Sequence, residues 1–484
     1  MMMKSFRQAF LALTTLLLAS GACLAAPGKP NVVIINADDL GYGDLGCFGG
    51  KTTVTPNLDR MAGQGRKFTN FHAAQAVCSA SRTALLTGCY SNRLGIHGAL
   101  GPNANHGISD KEVTLAQLLK KQEYATGMAG KWHLGHRVPF LPTRHGFDEY
   151  LGLPYSNDMW PENPEAKKGT YPPLHLIEGE SAADAEVTPK DQPRLTALYT
   201  DRAVSFIEKN KNKPFFFYLA YAMPHVPLYA GDAFRGKSGK GLYADVIMEI
   251  DASVGKILDT LDANGLKNDT LVIFTSDNGP WLNYGEHAGS SGPLREGKGT
   301  CWEGGLRVPC VMRWPGTIAA GSVCDEFLMT IDVLPTIAGF VNAKLPEHPI
   351  DGRNVGPFLV GDVDARNPHD AYYLYYEVNQ LQGIVSGDGR WKLILPHTYR
   401  TLGGRAGGRD GVPVKYEQRK VAKPELYDLA RDRSETTDVA ALEPKVVKML
   451  LTFAERARAD LGDALTKREG TGLREPGRVD ATAP

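Results

Sequence analysis

A cysteine and an arginine lie four residues apart in the segment Ala76 to Gly88, AVCSASRTALLTG. The run Ala84-Leu85-Leu86 predicts a helix that ends at Gly88. Residues four apart on a helix share a face, so Cys78 and Arg82 should point the same way. A sulfur atom at a helix N-terminus lies at the positive end of the helix dipole, and a neighbouring guanidinium strengthens that effect. The segment therefore predicts a thiol in a site that suits an anion.

Oxygen-donor side chains form a second group. Asp38-Asp39 and Asp277-Asn278 each follow an apolar run directly. Taken singly, an aspartate at the end of a strand is more often a cap on the next helix or turn. Three carboxylates and an amide in one crevice would repel one another unless a cation lay among them, and hard oxygen ligands select Ca²⁺ or Mg²⁺ over zinc. Because both pairs follow strand-like runs, we expect a divalent-metal site.

Cationic and imidazole side chains form a third group. Lys131 and His133 are two residues apart, so they share one side of an extended segment. His225 lies in a proline-rich loop and Lys298 in a glycine-rich loop. Each has an ordinary explanation as a solvated lysine or a hydrogen-bonded core histidine. Together with Arg82 and a cation they predict a site for the ester of a small tetrahedral oxyanion, because they stabilise charge on its oxygens and can protonate a leaving group. Sulfate and phosphate esters both fit.

Four short apolar runs must bring these residues together. They lie at 31–36, 124–129, 214–221 and 270–275, and they are of the buried, parallel-strand type, the second more weakly than the others. Helical stretches such as 114–121 and 245–261 alternate with them. This pattern predicts an α/β domain with a mainly parallel central sheet flanked by helices. Ligands bind at the carboxyl edge of such sheets, so the residues that follow these runs should converge on one crevice.

The character of the chain changes after about residue 366. Short runs with turn signals, such as AYYLYYEVN, predict an antiparallel sheet, and 444–461 predicts one amphipathic helix. We therefore expect a catalytic domain over residues 28–366 and a smaller C-terminal α+β domain over 367–484. Within the smaller domain, we expect the glycine-rich loop 403–411 to be mobile and the charged tail from Lys467 to be loosely ordered.

Charge and the N-terminus restrict the class of protein. Lys+Arg and Asp+Glu both number 54 in 484 residues, and this zero net charge argues against a nucleic-acid partner. Residues 1–25 combine Lys4 and Arg7 with an apolar core and small residues, which is typical of a signal peptide rather than a membrane span. We expect an exported protein, periplasmic or secreted, without a membrane span, and a lipid anchor at Cys23 is the alternative to a soluble form. Six further cysteines could pair after export, although a reserved Cys78 would leave at least one of them free.

The motif Cys78-Ser79-Ala80-Ser81-Arg82, continued by TALLTG, resembles the signature of the type I sulfatases. The resemblance runs along nearly the whole mature chain. The segments that resemble the arylsulfatase A-like branch of that family are DDLGYGDLGCFG from Asp38, GKWHLG from Gly130, HGFDEYLGLPYSND from His145, SDNGP from Ser276 and GKGTCWEGGLRVP from Gly297. ELYDLARDRSETTDVA from Glu425 resembles the C-terminal subdomain of the family. The resemblance implies an alkaline-phosphatase-like fold.

In that family the signature cysteine is oxidised after synthesis to formylglycine. The resemblance thus implies that the Cys78 thiol is a precursor and that a formylglycine-generating or sulfatase-maturating enzyme acts on the chain. It also implies a metal, Ca²⁺ with Mg²⁺ as the alternative. The implied ligands are Asp38, Asp39, the modified Cys78, Asp277 and Asn278.

The remaining roles also come from the resemblance. Arg82 and Lys131 hold the hydrated aldehyde, one hydroxyl of which attacks sulfur while the alcohol departs. His225 and Lys298 bind the sulfate, and one of them assists the leaving oxygen. His133 then removes a proton from the other hydroxyl, so that sulfate leaves and the aldehyde is restored.

Three further positions bear on this resemblance. Ser156 falls where that branch has a sulfate-contacting serine. Ala80 stands where most members have proline, which bears on which maturation enzyme acts and how completely. Asn157 stands where close relatives often have histidine, so the pocket there differs.

These observations predict an exported sulfatase that acts on a sulfated glycan or a small sulfated molecule. A carbohydrate sulfate is favoured over an aryl sulfate by analogy with secreted enzymes of this type. One alternative is a formylglycine-dependent phosphodiester or phosphonate hydrolase, which a comparison of aryl sulfate with aryl phosphodiesters would separate. Another is a non-catalytic sulfoglycan-binding protein with an unmodified Cys78, which would bind without turnover. The basic residues beside the acidic ones disfavour a metal-bound structural protein.

Overall fold

The structure is a computed structural model that describes residues 29–480. The predicted signal peptide and Cys23 lie outside the described residues. The α-helices within that range are Pro56–Gln64 (α1), Cys78–Thr87 (α2), Leu115–Lys120 (α3), Leu195–Asn210 (α4), Leu242–Ala263 (α5), Glu303–Leu306 (α6), Val333–Phe340 (α7), Gly356–Val360 (α8) and Pro444–Leu461 (α9). The strands are Asn31–Ala37 (β1), Arg66–Phe68 (β2), Phe71–His72 (β3), His106–Gly107 (β4), Ala125–Gly130 (β5), Glu149–Gly152 (β6), Leu176–Glu178 (β7), Ser181–Asp184 (β8), Phe215–Ala220 (β9), Thr270–Ser276 (β10), Cys310–Arg313 (β11), Ser322–Cys324 (β12), Leu328–Met329 (β13), Ala371–Tyr376 (β14), Gln380–Ser386 (β15), Trp391–Ile394 (β16), His397–Thr401 (β17), Glu417–Val421 (β18), Glu425–Asp428 (β19) and Gly477–Arg478 (β20).

Four parallel strands form the centre of the main sheet. Its order is β12-β2-β11-β10-β1-β9-β5-β6-β7-β8, and the neighbours β10, β1, β9 and β5 run parallel. They coincide with the four predicted apolar runs, so the predicted parallel sheet is confirmed. Asn36 in β1 lies opposite Thr275 in β10 and Ala220 in β9, and Ala220 lies opposite Gly130 in β5. The four strands therefore end at one level.

Both faces of this sheet are covered. Val33 and Ile35 of β1 pack into a core that includes α4 and α5, whereas Val32 and Ile34 pack into a second core that includes α3 and α7. Successive side chains of a strand point to opposite faces, and a strand buried on both faces reads as a continuous apolar run. Burial on both faces explains why NVVIIN is an unbroken apolar run. The predicted flanking helices are confirmed.

A smaller antiparallel sheet follows in the C-terminal region, from residue 367 onward. Its order is β14-β15-β16-β19, and each neighbouring pair is antiparallel. Helix α9 packs on it through Leu450, Ala454, Ala457 and Leu461, which are all buried. The predicted combination of a small antiparallel sheet and one amphipathic helix is confirmed.

The glycine-rich loop 403–411 is docked, not free as we expected. The backbone N–H groups of Gly408 and Val414 donate to the carbonyl of Asn283 at 2.8 and 3.0 Å, and the Asn283 amide donates back to the carbonyl of Val414 at 3.0 Å. A side chain at Gly285 would collide with the backbone of Gly408. Gly407 and Gly408 therefore allow close backbone approach to residues 282–285.

The tail beyond Lys467 is also ordered as far as the structure describes it. Arg474 donates to both carboxylate oxygens of Glu112, at 2.7 and 2.9 Å, and β20 pairs with β4. The expectation of a loose tail was wrong because it took charged residues as solvated. Instead, Arg474 forms an ion pair with the largely buried carboxylate of Glu112.

The sequence also led to expectations about cysteine pairing and about a membrane span. All six cysteines in residues 29–480 are unpaired, so the structure assigns no disulfide to the described chain; they are Cys47, Cys78, Cys89, Cys301, Cys310 and Cys324. In the same range, no helix combines the length and the apolar character needed to cross a bilayer.

Candidate active site

The predicted site residues lie in one buried crevice at the carboxyl edge of the central strands. Asp38 and Asp39 follow β1, Asp277 and Asn278 follow β10, and Lys131 and His133 follow β5. His225 follows β9, while Cys78 begins α2 and Lys298 lies between β10 and α6. Ser156 lies in the loop after β6. All of these residues, and Arg82, are buried.

Helix α2 places Cys78 and Arg82 on one face, as predicted. Cys78 Sγ lies 3.5 Å from one carboxylate oxygen of Asp38, and an Arg82 nitrogen donates to the other at 3.0 Å. Arg82 also donates to Asp277 at 3.0 Å and to the carbonyl of Lys131 at 2.9 Å. The helix ends at Gly88, whose φ of 71° is the left-handed conformation that glycine adopts at helix ends.

The thiol itself is not in an anion-stabilising environment, contrary to the sequence-based expectation. Burial raises the pKa of Cys78, the nearby Asp38 carboxylate raises it further, and Lys131 and Lys298 only partly oppose this. The charged form of a group loses solvation on burial, and this loss outweighs the helix dipole and the cations. The Cys78 thiol is therefore neutral, and a plain thiolate nucleophile is not what this site provides.

Two lysines connect the acidic residues to the thiol and to the serine. Lys298 Nζ lies 2.7 Å from a carboxylate oxygen of Asp39 and 3.4 Å from Cys78 Sγ. Lys131 Nζ lies 2.5 Å from a carboxylate oxygen of Asp38 and donates to Ser156 Oγ at 3.0 Å. Burial opposes ionisation of Asp38, but Lys131 and Arg82 hold its pKa well below the usual value.

His133 is a neutral imidazole with unused hydrogen-bonding capacity. Burial, together with Lys131 and Arg82, lowers its pKa well below the usual value. Both ring nitrogens are buried without a partner in the described part of the chain. Its φ of 66°, like the 62° of Asp39, is left-handed, which costs free energy for a non-glycine residue. A neutral, unpartnered imidazole can accept a proton.

The donor atoms fit a hard cation. Oxygen, sulfur or nitrogen atoms of Asp38, Asp39, Cys78 and His225 lie within 4.8 Å of one another, and Asn278 Oδ1 is buried with no partner among residues 29–480. Burial raises the pKa of Asp277 to about 6, and that of Asp39 is also raised. Carboxylate oxygens and an orphan amide oxygen are donors that Ca²⁺ prefers.

The structure groups these donors somewhat differently from the predicted ligand set. His225 belongs to the compact group, with Nε2 3.7 Å from Asp39. Asp277 accepts hydrogen bonds from Arg82 and from the backbone N–H of Asp39 instead.

Two residues at this site escaped the sequence analysis. The Trp281 ring lies 4.4 Å from Lys298 Nζ and 5.4 Å from the His225 ring. Its place directly after the SDNGP motif was the only signal for it. Arg400 of β17 donates to the carbonyl of Lys298, and no motif surrounds it.

Comparison with known proteins identifies the family of this chain. A family profile described as Sulfatase matches residues 30–343, and one described as N-sulphoglucosamine sulphohydrolase, C-terminal, matches residues 297–401. Arylsulfatase A of Homo sapiens is 37% identical over 477 residues, covering 93% of this chain and 92% of that protein. N-acetylgalactosamine-6-sulfatase of Mus musculus is 36% identical over 458 residues, covering 89% of this chain and 85% of that protein.

The fold is shared with solved structures as well. A structure reported under the metabolism of multiple glycosaminoglycans by Bacteroides thetaiotaomicron aligns with a TM-score of 0.74 and 30% identity, covering 89% of this chain and 99% of that chain. The resemblance seen in the sequence motifs is therefore confirmed over most of the chain. The chain belongs to the sulfatase family, whose members are sulfuric ester hydrolases.

Proposed function

We propose that this protein hydrolyses sulfate esters with a formylglycine made from Cys78 as its nucleophile. One observation carries the proposal. Cys78 lies at the start of a buried helix, with Asp38 at 3.5 Å and Lys298 at 3.4 Å from its sulfur. A thiol whose pKa is raised is a poor nucleophile there, whereas Arg82, Lys131 and Lys298 provide the positive charge that binding of a small tetrahedral anion requires.

The residues around Cys78 have distinct proposed roles. When present, the hydrated aldehyde supplies a hydroxyl nucleophile and a second hydroxyl whose ionisation releases the product. Arg82 and Lys131 hold that group in place and offset negative charge. Lys298 and His225, with Ser156, bind the sulfate and assist the leaving oxygen. His133 accepts the proton that must be removed afterwards, a role that its neutral imidazole supports.

We propose Ca²⁺ as the resident cation, held by Asp38, Asp39, Asp277, Asn278 and the modified Cys78. It would supply positive charge beside the reacting oxygens. The orphaned, buried Oδ1 of Asn278 supports a cation there, and Mg²⁺ is the alternative.

Removal of the metal is expected to abolish hydrolysis and to destabilise the fold. An excess of EGTA should lower the free energy of unfolding by about 3 kcal/mol relative to enzyme held at a hundredfold excess of Ca²⁺ over its Kd, because bound cation stabilises only the folded state. Calorimetry and an ester assay measure the two effects. Ca²⁺ should restore both, and Mg²⁺ added in parallel identifies the preferred ion. Retention of activity and stability by protein that elemental analysis shows to be metal-free would rule out the proposed site.

We propose a carbohydrate sulfate as the substrate. Relatives named for arylsulfatase and N-acetylgalactosamine-6-sulfatase activity support both an aryl and a sugar sulfate, and the glycosaminoglycan context of the matched structure favours the sugar. We also propose that residues 1–25 direct export, to the periplasm or beyond the cell. A formylglycine-generating or sulfatase-maturating enzyme would be the partner that acts on Cys78. The chain would divide into a catalytic domain, 28–366, and a C-terminal domain, 367–484.

The proposal is tested with protein made in its own host. The peptide that contains Cys78 should be about 18 Da lighter than the thiol form and should react with an aldehyde reagent. Turnover is then compared on 4-nitrophenyl sulfate, bis(4-nitrophenyl) phosphate and a panel of sulfated sugars, and we expect the sulfates to be preferred. Preference for the phosphodiester would assign the chain to the alternative hydrolase class. An unmodified thiol in folded, exported protein that binds sulfated glycans without turnover would replace the proposal by a binding function.

A further inference from the structure

The loop that carries Lys298 is held from the C-terminal region. The side chain of Lys298 reaches Asp39 and Cys78, but its backbone carbonyl faces the other way, toward β17. Arg400 of that strand donates to this carbonyl from Nε at 3.1 Å and from Nη2 at 2.5 Å. The Arg400 guanidinium thus donates two hydrogen bonds to the carbonyl of Lys298, a residue 102 positions away in the sequence.

Neighbouring contacts hold both Arg400 and the loop that carries Lys298 in place. The Arg400 guanidinium lies 4.9 Å from the centre of the Tyr416 ring, and the Tyr416 hydroxyl accepts from the backbone N–H of Asn283. Gly299 donates its backbone N–H to the carbonyl of Ala76 at 2.9 Å, two residues before Cys78. Its φ is 79°, and a side chain there would collide with the Arg400 guanidinium. The loop is therefore clamped between the segment that leads to Cys78 and the arginine of the C-terminal region.

We propose that Arg400 is a positioning residue for the sulfate-binding Lys298. Its two hydrogen bonds set the path of the loop, and the loop aims the lysine side chain at the sulfate group. Hydrogen bonds from a charged donor are stronger than neutral ones, and the planar fork of arginine resists rotation. The C-terminal region thereby takes part in sulfate binding without touching the substrate. This inference rests on the proposed function, because it takes Lys298 as a sulfate ligand.

The test compares Arg400→Ala with Arg419→Ala, a matched control. Arg419 lies on β18 of the same hairpin, is exposed, and pairs only weakly with Glu417 at 3.5 Å. Arg400→Ala should lower kcat/KM on 4-nitrophenyl sulfate by about tenfold or more and weaken competitive inhibition by inorganic sulfate by a similar factor. Arg400→Lys, which keeps the charge but not the fork, should recover part of both losses. Arg419→Ala should change neither.

A second variant reaches the same contact from the other side. Gly299→Ala introduces a side chain where the guanidinium lies and forces an unfavourable left-handed residue, so it should reproduce the loss. Because both variants break one contact, the double variant should lose less than the product of the two single effects. Gly299→Ala also keeps the inference testable if Arg400→Ala does not fold.

The proposed function and the positioning role of Arg400 can be overturned by different results. If wild-type protein hydrolyses neither 4-nitrophenyl sulfate nor any of the sulfated sugars, the proposed function fails, and calorimetric binding of inorganic sulfate to wild type and to Arg400→Ala still tests the positioning role. If wild type is active and Arg400→Ala matches Arg419→Ala in kcat/KM and in sulfate inhibition, the positioning role is overturned. A lower melting temperature with unchanged sulfate affinity would likewise reduce Arg400 to a structural residue.

Discussion

Replacing Cys78 by alanine should lower kcat for sulfate ester hydrolysis by about 10⁴-fold or more, because it removes the proposed nucleophile itself. The fold should tolerate the change. The side chain is small, its sulfur makes only the long contacts to Asp38 and Lys298, and loss of one buried atom costs about 1 kcal/mol. The expected variant is therefore folded, able to bind sulfate and inactive.

The matched control for this prediction is Cys310→Ala. Cys310 is also fully buried and unpaired, but it belongs to the second hydrophobic core, with Phe68 and Cys324, and not to the group of site residues. Rates on 4-nitrophenyl sulfate, melting temperatures and binding of inorganic sulfate are measured for both variants. Comparable activity of the two would show that Cys78 is not the source of the nucleophile.

Replacing Arg82 by methionine should destabilise the folded protein by about 3–5 kcal/mol, the usual cost of removing one partner of a buried ion pair. Arg82 is fully buried and pairs with Asp38 at 3.0 Å and with Asp277 at 2.9 Å. Methionine preserves much of the side-chain length, so the loss reports the two carboxylates left without their guanidinium rather than a cavity. Arg82→Lys keeps the positive charge, but a lysine should pair with only one of the two carboxylates.

Denaturant unfolding in saturating Ca²⁺ measures this loss as a lower midpoint at unchanged slope. The control is Arg60→Met, because Arg60 pairs with Asp259 at 2.8 Å at the surface, where Asp259 is exposed and Arg60 is partly exposed. An exposed pair contributes about 0–1 kcal/mol. Equal midpoint shifts for the two variants would mean that the network around Arg82 does not stabilise the fold.

The sequence predicts the centre of the fold well for a physical reason. Strands buried on both faces must be apolar throughout, so β1, β9 and β10 are visible as runs, and polar residues can begin only where such strands end. That rule alone places Asp38, Asp277 and His225 at one edge of the sheet. The helix at Cys78 was visible because Gly88 marks its end.

Other parts of the site leave no local pattern. Aspartate and histidine adopt the left-handed backbone more often than most residues, but nothing in the local sequence indicates that Asp39 and His133 do so here. Arg400 and Lys298 are 102 residues apart, and nothing near either residue signals the other. Arg474 looked solvated because its partner, Glu112, lies 362 residues away. The sequence also does not show how strongly burial raises the pKa of Cys78 compared with the opposing effect of the helix dipole. For that reason the sequence predicted a site that suits an anion at this thiol.

The complete burial of α2 limits the period in which the proposed conversion of Cys78 could take place. Cys78 is 2% exposed, and its helix is covered on every side, so an external enzyme can reach the thiol only before this packing forms. That packing needs Asp277, which pairs with Arg82 and is made 195 residues later. Under the proposed formylglycine mechanism, conversion of Cys78 and burial of α2 would compete in time, and the yield of active enzyme would depend on the rate of folding. A chain that folded before conversion would be a stable protein without its nucleophile.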